Sequence, residues 1–92
     1  MARTLIAGNW KMNGLRASLE EIASIAGGVT PAKENVEALI CVPATLVMQA
    51  ADQSRATALK IGGETCHTNE KGAHTGDISA EMLADAGASY VI

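Results

Sequence analysis

The sequence has no phenylalanine and only two aromatic residues, Trp10 and Tyr90, so its core must be built from aliphatic side chains and alanine. No apolar run is long enough to span a bilayer, and the N-terminus lacks the pattern of a secretory leader; both absences favour a cytoplasmic setting. There is no excess of positive charge. Seven Lys and Arg against ten Asp and Glu leave a net charge of −3, which gives no reason to expect nucleic acid or an anionic membrane as partner. Cysteine is scarce, and Cys41 and Cys66, without a secretory context, read as free thiols. No G-x-G-x-x-G follows a strand and no Walker sequence is present. With no C-x-x-C or H-E-x-x-H framework either, neither a phosphate-binding loop nor a metal site is predicted.

What is present is a dense alternation of apolar runs and amphipathic stretches. Hydrophobic residues make up 48% of the 92 positions and charged residues 18%, which fits a globular α/β segment and argues against disorder. No linker, repeat or low-complexity tract divides it, so residues 1–92 read as a single unit. Thr4 to Lys11 is the first expected strand. Ser18 and Glu21 resemble a capping box, followed by a helical stripe of Leu19, Ile22, Ala23 and Ala26 that stops at Gly27-Gly28. Val36 to Val42 is a second strand, ended by Pro43, and Leu46, Val47, Ala50 and Ala51 mark a second helix. Thr57 to Gly62 reads as a third strand. Ser79 should cap a third helix with Met82, Leu83 and Ala86 inward and Gly87 as its left-handed stop. Ala88 to Ile92 is a fourth strand. This βαβαβαβ order implies a parallel sheet with right-handed crossovers.

One connection breaks the pattern. Glu64 to Asp77 is a polar segment of 14 residues, whereas connections between strand and helix usually run to about 2–6. A loop of that length needs a partner or a function to stay ordered.

The first strand ends in chemistry. Side chains alternate along a strand, so Asn9 and Lys11 share a face with Leu5 and Ala7, while Ile6 and Trp10 face the other way. A strand apolar on both faces that ends in two convergent polar groups suggests a buried parallel strand opening on a ligand. An ammonium there can attract an anionic substrate and stabilise developing negative charge; the bland alternative is a solvated lysine at a strand end. Asn9 can both donate and accept, with strand-end hydrogen bonding as its plainer role.

Gly8-Asn9-Trp10-Lys11-Met12-Asn13-Gly14 resembles the signature near the N-terminus of the triosephosphate isomerase family, and Gly72-Ala73-His74-Thr75-Gly76-Asp77-Ile78-Ser79 resembles a second segment of that family in the same order. The resemblance implies a TIM (β/α)8 barrel, a fold of about 250 residues, of which this chain covers the first four strands and three helices. It further implies an isomerase of glycolysis and gluconeogenesis that interconverts dihydroxyacetone phosphate and glyceraldehyde 3-phosphate through an enediolate, without cofactor or metal. In that chemistry a carboxylate base moves the proton, a histidine polarises the carbonyl and a lysine stabilises charge. The family's active-site lysine falls on Lys11 and its substrate-contacting asparagine on Asn9. Its interdigitating loop falls on Gly72 to Ser79, so the resemblance implies a homodimer in which Thr75, with Gly72 and Gly76 shaping the tip, reaches toward the neighbour's site near Met12. The family's Gly-His-Ser-Glu-Arg segment, which carries the catalytic histidine, and the glutamate base have no counterpart in these 92 positions, so the residues by themselves are expected to be inactive. Glu64 and Thr65 depart from the glutamine and asparagine or aspartate common in the family; a carboxylate at 64 could pair with Lys11 or with a basic group on a neighbouring subunit.

Other features carry weaker signals. Cys66, His67 and His74 supply at most three metal ligands, where a closed structural site wants four, and read better as loop residues. Asp77 and Glu81 suit the start of the third helix, where negative charge complements the helix dipole. An alternative to the enzyme is a non-catalytic half-barrel that associates through its exposed sheet edges; a different phosphate-handling barrel is a third reading, against which the two matched motifs count.

Overall fold

The computed structural model describes residues 3–29 and 35–92. Four strands, β1 (Thr4–Asn9), β2 (Val36–Cys41), β3 (Lys60–Gly63) and β4 (Tyr90–Val91), form one parallel sheet in the order β1-β2-β3-β4. Three helices connect them: α1 (Leu19–Gly28), α2 (Ala44–Ser54) and α3 (Ala80–Ala86). The expected βαβαβαβ order and parallel pairing are therefore present.

Helices pack on one face of the sheet, over β2 and β3. Ile40, Val42 and Ile61 from the strand layer meet Leu19, Ile22 and Ala26 of α1, Leu46, Val47 and Ala50 of α2 and Leu83 of α3 in one cluster of buried residues. The core is aliphatic, as a chain without phenylalanine requires, and Trp10 lies at its margin, half-buried and packed against it. The other face of the sheet carries Glu37, Leu39 and Cys41 from β2 and Gly62 from β3. A Cβ at Gly62 would fall 2.7 Å from Cys41 Sγ, 3.0 Å from the Tyr90 carbonyl oxygen and 3.1 Å from Leu39 Cδ1, so only glycine lets β2 and β4 approach β3 this closely. Below these residues, the Tyr90 hydroxyl donates to Glu37 Oε1 across β3 at 2.6 Å, and Arg3 pairs with Glu37 Oε2 at 3.1 Å. That network ties β4 to β2. The hydrogen bond to Glu37 and burial push the Tyr90 hydroxyl up from its ordinary pKa, with Arg3 pulling it back.

Several boundaries depart from the sequence pattern. β1 stops at Asn9 rather than Lys11, because Lys11 adopts a left-handed backbone with φ 56°. β3 begins at Lys60 rather than Thr57. Thr57 folds back instead, its hydroxyl donating to the Ser54 carbonyl at 2.8 Å and accepting from the Leu59 amide at 3.2 Å, a local bond that competes with the sheet ladder. Ser18 does not cap α1: its hydroxyl accepts from the Leu15 amide at 3.0 Å, closing a 3₁₀ turn (Arg16–Ser18) that runs directly into the helix. Gly27-Gly28 form the last turn of α1 rather than its stop. Ala23 and Met82 face solvent. By contrast, the Ser79 hydroxyl accepts from the Met82 amide at 3.1 Å and Gly87, at φ 107°, ends α3, both as the sequence suggests.

The close approach at Gly62 generates a test. Gly62→Ala is expected to cost about 1–3 kcal/mol through overpacking, lowering the thermal midpoint by roughly 5–20 °C for a chain of this size. Melting followed by circular dichroism checks it; an unchanged midpoint would mean that the strands do not converge this tightly.

Candidate active site at the carboxyl ends of the strands

Parallel strands bring their carboxyl ends to one rim, and here that rim gathers Asn9 at the end of β1, Lys11 just beyond it, Cys41 at the end of β2 and Glu64 after β3. The register Asn9↔Cys41 and Cys41↔Gly62 fixes their levels. Trp10 packs into the helix-side cluster, which sends Asn9 to the opposite face of the sheet, as the two-residue period requires. The loop beyond folds tightly around the indole. Asn13 Nδ2 donates to the Trp10 carbonyl at 2.8 Å, and a Cβ at Gly14 would meet both Trp10 Cε3 and Leu46 Cδ1 at 2.9 Å.

Lys11 is the one non-glycine residue with positive φ among the described residues. Such a backbone is costly for a residue with a side chain, and strain of this kind collects at functional sites. Asn9 supplies part of the compensation, because its Oδ1 accepts from the Lys11 amide at 2.8 Å. With Oδ1 so engaged, the Asn9 amide nitrogen remains a donor, and the exposed Lys11 ammonium makes no ion pair among the described residues. Two adjacent donors of this kind suit an oxyanion.

Glu64 joins the rim without joining Lys11 in an ion pair. Its Oε2 is buried with no hydrogen-bond partner. Burial pushes its carboxyl above the ordinary pKa of 4.5, while a backbone hydrogen bond from Lys11 acts in the opposite direction. Burial, with the Glu64 charge behind it, also pushes the buried Cys41 thiol up. Cys41 is a rim residue that the sequence marks only as a strand end. Both thiols are free, Cys41 buried and Cys66 exposed.

The long loop has an ordered path. It runs from Glu64 to Asp77 with His67 bridging Ser79 in parallel, and its tip is a turn in which the Asp77 amide donates to the His74 carbonyl at 3.0 Å. Thr75 sits at the exposed apex beside Gly76, whose φ of 92° is the value such a turn demands of its third residue. Gly72, at φ 144°, turns the chain into the tip. Met12, in the turn that follows β1, is 95% exposed and leaves a large apolar side chain uncovered.

These features can be set beside known proteins. The family profile described as triosephosphate isomerase matches residues 4–92. Triosephosphate isomerase of Hyphomonas neptunium is 63% identical over 92 residues, covering all of this chain and 37% of the relative. That of Ruegeria sp. is 58% identical over the same length, 36% of the relative. The crystal structure of triosephosphate isomerase from Bartonella henselae superposes with a TM-score of 0.89 at 52% identity, over 97% of this chain and 36% of that one. The chain thus spans little more than a third of the length of these relatives, and its four parallel strands and three helices are the corresponding part of a TIM barrel.

Glu64 supplies the prediction of this site. A carboxyl whose folded pKa lies above its unfolded value stabilises the fold fully below the unfolded value, and that stability is lost as pH rises through the folded pKa. The wild-type chain should therefore lose stability as pH climbs from about 4.5 toward neutrality. Glu64→Gln removes that loss and should raise the melting midpoint at pH 7 by a few degrees, the order expected for relieving one unsatisfied buried group at about 1–3 kcal/mol. The gap between the two proteins should close as pH falls to 4.5. A Gln variant less stable at pH 7 would contradict it.

Proposed function

The chain belongs to the triosephosphate isomerase family, and on that premise we propose that the whole protein interconverts dihydroxyacetone phosphate and glyceraldehyde 3-phosphate in glycolysis and gluconeogenesis. The observation that carries this reading is the Asn9–Lys11 pair: an ammonium with no ion pair among the described residues, on a left-handed backbone braced by an asparagine that keeps a free donor, at the carboxyl end of a parallel strand. In TIM barrels that rim is where substrates bind. Lys11 attracts the phosphorylated triose and stabilises the negative charge that develops as a proton leaves one carbon for its neighbour, and Asn9 donates to a substrate oxygen. A base and a polarising histidine complete the reaction; the 92 residues offer neither, so this segment alone turns over no substrate.

The protein acts as a cytoplasmic homodimer in this reading. The loop from Glu64 to Asp77 makes the subunit contact, Gly72 and Gly76 shape its tip, and Thr75 reaches toward the partner's Asn9–Lys11 site. Met12, left bare in a single chain, is the surface that receives it. Contact with a partner offsets the entropy of ordering so long a polar segment.

The exposure of β1 along its whole length favours one further reading for the 92 residues on their own, a non-catalytic half-barrel that self-associates through its open edge. Sedimentation separates the two: association of the isolated chain that Ile6→Lys abolishes would support it.

In a protein of the relatives' full length, Lys11→Ala should lower kcat by about 10²–10³ without loss of fold, the usual effect of removing a donor aimed at developing charge. A near-wild-type rate in a coupled isomerase assay would remove Lys11 from the chemistry. Thr75→Arg should raise the dimer dissociation constant, read by sedimentation, and lower activity with it; unchanged dimerisation would take the loop out of the interface.

A further inference from the structure

The tip of the long loop is held by two histidines and one asparagine that the isomerase chemistry leaves unused. The rings of His67 and His74 stack with centroids 4.1 Å apart and planes inclined by 26°. Asn69 stitches them together: its backbone amide donates to His67 Nδ1 at 2.9 Å, and its side-chain nitrogen lies 3.0 Å from His74 Nε2. The His67 amide donates to the Ile78 carbonyl at 2.7 Å, anchoring this cluster beside the start of α3.

The two rings differ in what a proton would do. Nδ1 of His67 accepts from a backbone N–H, so it must be unprotonated; a proton there would set two N–H groups against each other, and a main-chain amide cannot turn away. His74 faces a side-chain amide, which can rotate by half a turn and present its oxygen to a protonated ring. His67 is therefore the sensitive member and His74 the tolerant one. Imidazole is the side chain that changes charge between about pH 5 and 8. Glu70, Lys71 and Asp77 share the small hollow that both rings line, together with Ser79 and Met82 from the α3 side. These three are the charged groups of that hollow, and α3 contributes none.

We propose that His67 is a pH-sensitive latch: neutral, it holds the Glu64–Asp77 loop in the observed shape, and protonated, it releases the Asn69 amide and loosens the tip. If the loop makes the subunit contact, as proposed above, acid weakens that contact; this consequence rests on that reading, whereas the latch itself does not.

The test is amide–water exchange by NMR on the 92-residue chain between pH 8 and 5.5, expressed as protection relative to an unstructured peptide so that the intrinsic pH dependence cancels. The Ile40 amide of β2 serves as the internal reference for global stability. Relative to Ile40, protection of the Asn69 amide should fall about tenfold on acidification, the order expected for losing one hydrogen bond. His67→Asn places a carbonyl oxygen where Nδ1 stood and cannot be protonated in this range, so its Asn69 protection should stay high at both pH values. His67→Phe keeps an aromatic ring but removes the acceptor, and its protection should be low at both. A wild-type chain that keeps its Asn69 protection at pH 5.5, a His67→Asn chain that loses protection in parallel with wild type or is low throughout, or a His67→Phe chain as protected as wild type at pH 8 would each overturn the latch. Because the readout is local and needs no dimer, its failure is distinct from failure of the interface reading.

Discussion

Helices pack on one face of the sheet over β2 and β3, and this one-sided burial governs the rest of the structure. Each strand residue is committed either to the helix-side core or to the opposite face. Ile40, Val42 and Ile61 fill the core against Ile22, Leu46, Val47 and Leu83, so Leu39, Cys41 and Gly62 must turn the other way. A one-residue slip of β2 would bury Glu37 and Cys41 against the helices and expose Ile40. The register that avoids this also lifts Asn9, Cys41 and Glu64 to a common rim.

Polar groups on the open face divide by level. At the base, Glu37 is satisfied by both Tyr90 and Arg3, which turns a half-buried carboxylate into a tie across three strands. At the rim, among the described residues, Glu64 is left with an unpaired oxygen and Lys11 with an unpaired ammonium. The base is closed on itself and the rim is not. A fold that satisfies its polar groups at one end and leaves them open at the other has room for a ligand at the open end, at a cost in stability.

Much of this was legible in the residues. Ala38 to Val42 is an unbroken apolar run between a polar segment and a proline, and Ser79 and Gly87 bracket their helix with side-chain and backbone chemistry that depends on near neighbours alone. Two of the misread positions share a physical reason: a local hydrogen bond outcompeted the expected role. Thr57 turned onto Ser54 instead of entering β3, and Ser18 closed a turn with Leu15 instead of capping α1. The left-handed backbone at Lys11 leaves no mark in hydropathy, although Asn9 two residues before it is the partner that makes it tolerable. Non-local ties are invisible for another reason: nothing in the neighbourhood of Glu37 announces Tyr90, 53 residues away. For the site, Asn9, Lys11 and the long loop stood out, whereas the burial of Glu64 beside Cys41 needed coordinates.

The proposed function sets Lys11 and Asn9 against the substrate at the rim of a parallel barrel. It is tested most directly by a crystal structure of a full-length protein carrying this segment, bound to a small phosphorylated carboxylate shaped like the triose. The account predicts the Lys11 ammonium and the Asn9 side-chain nitrogen within about 3 Å of ligand oxygens, with Trp10 still packed on the helix side. A ligand seated elsewhere, with Lys11 extended into solvent, would contradict it.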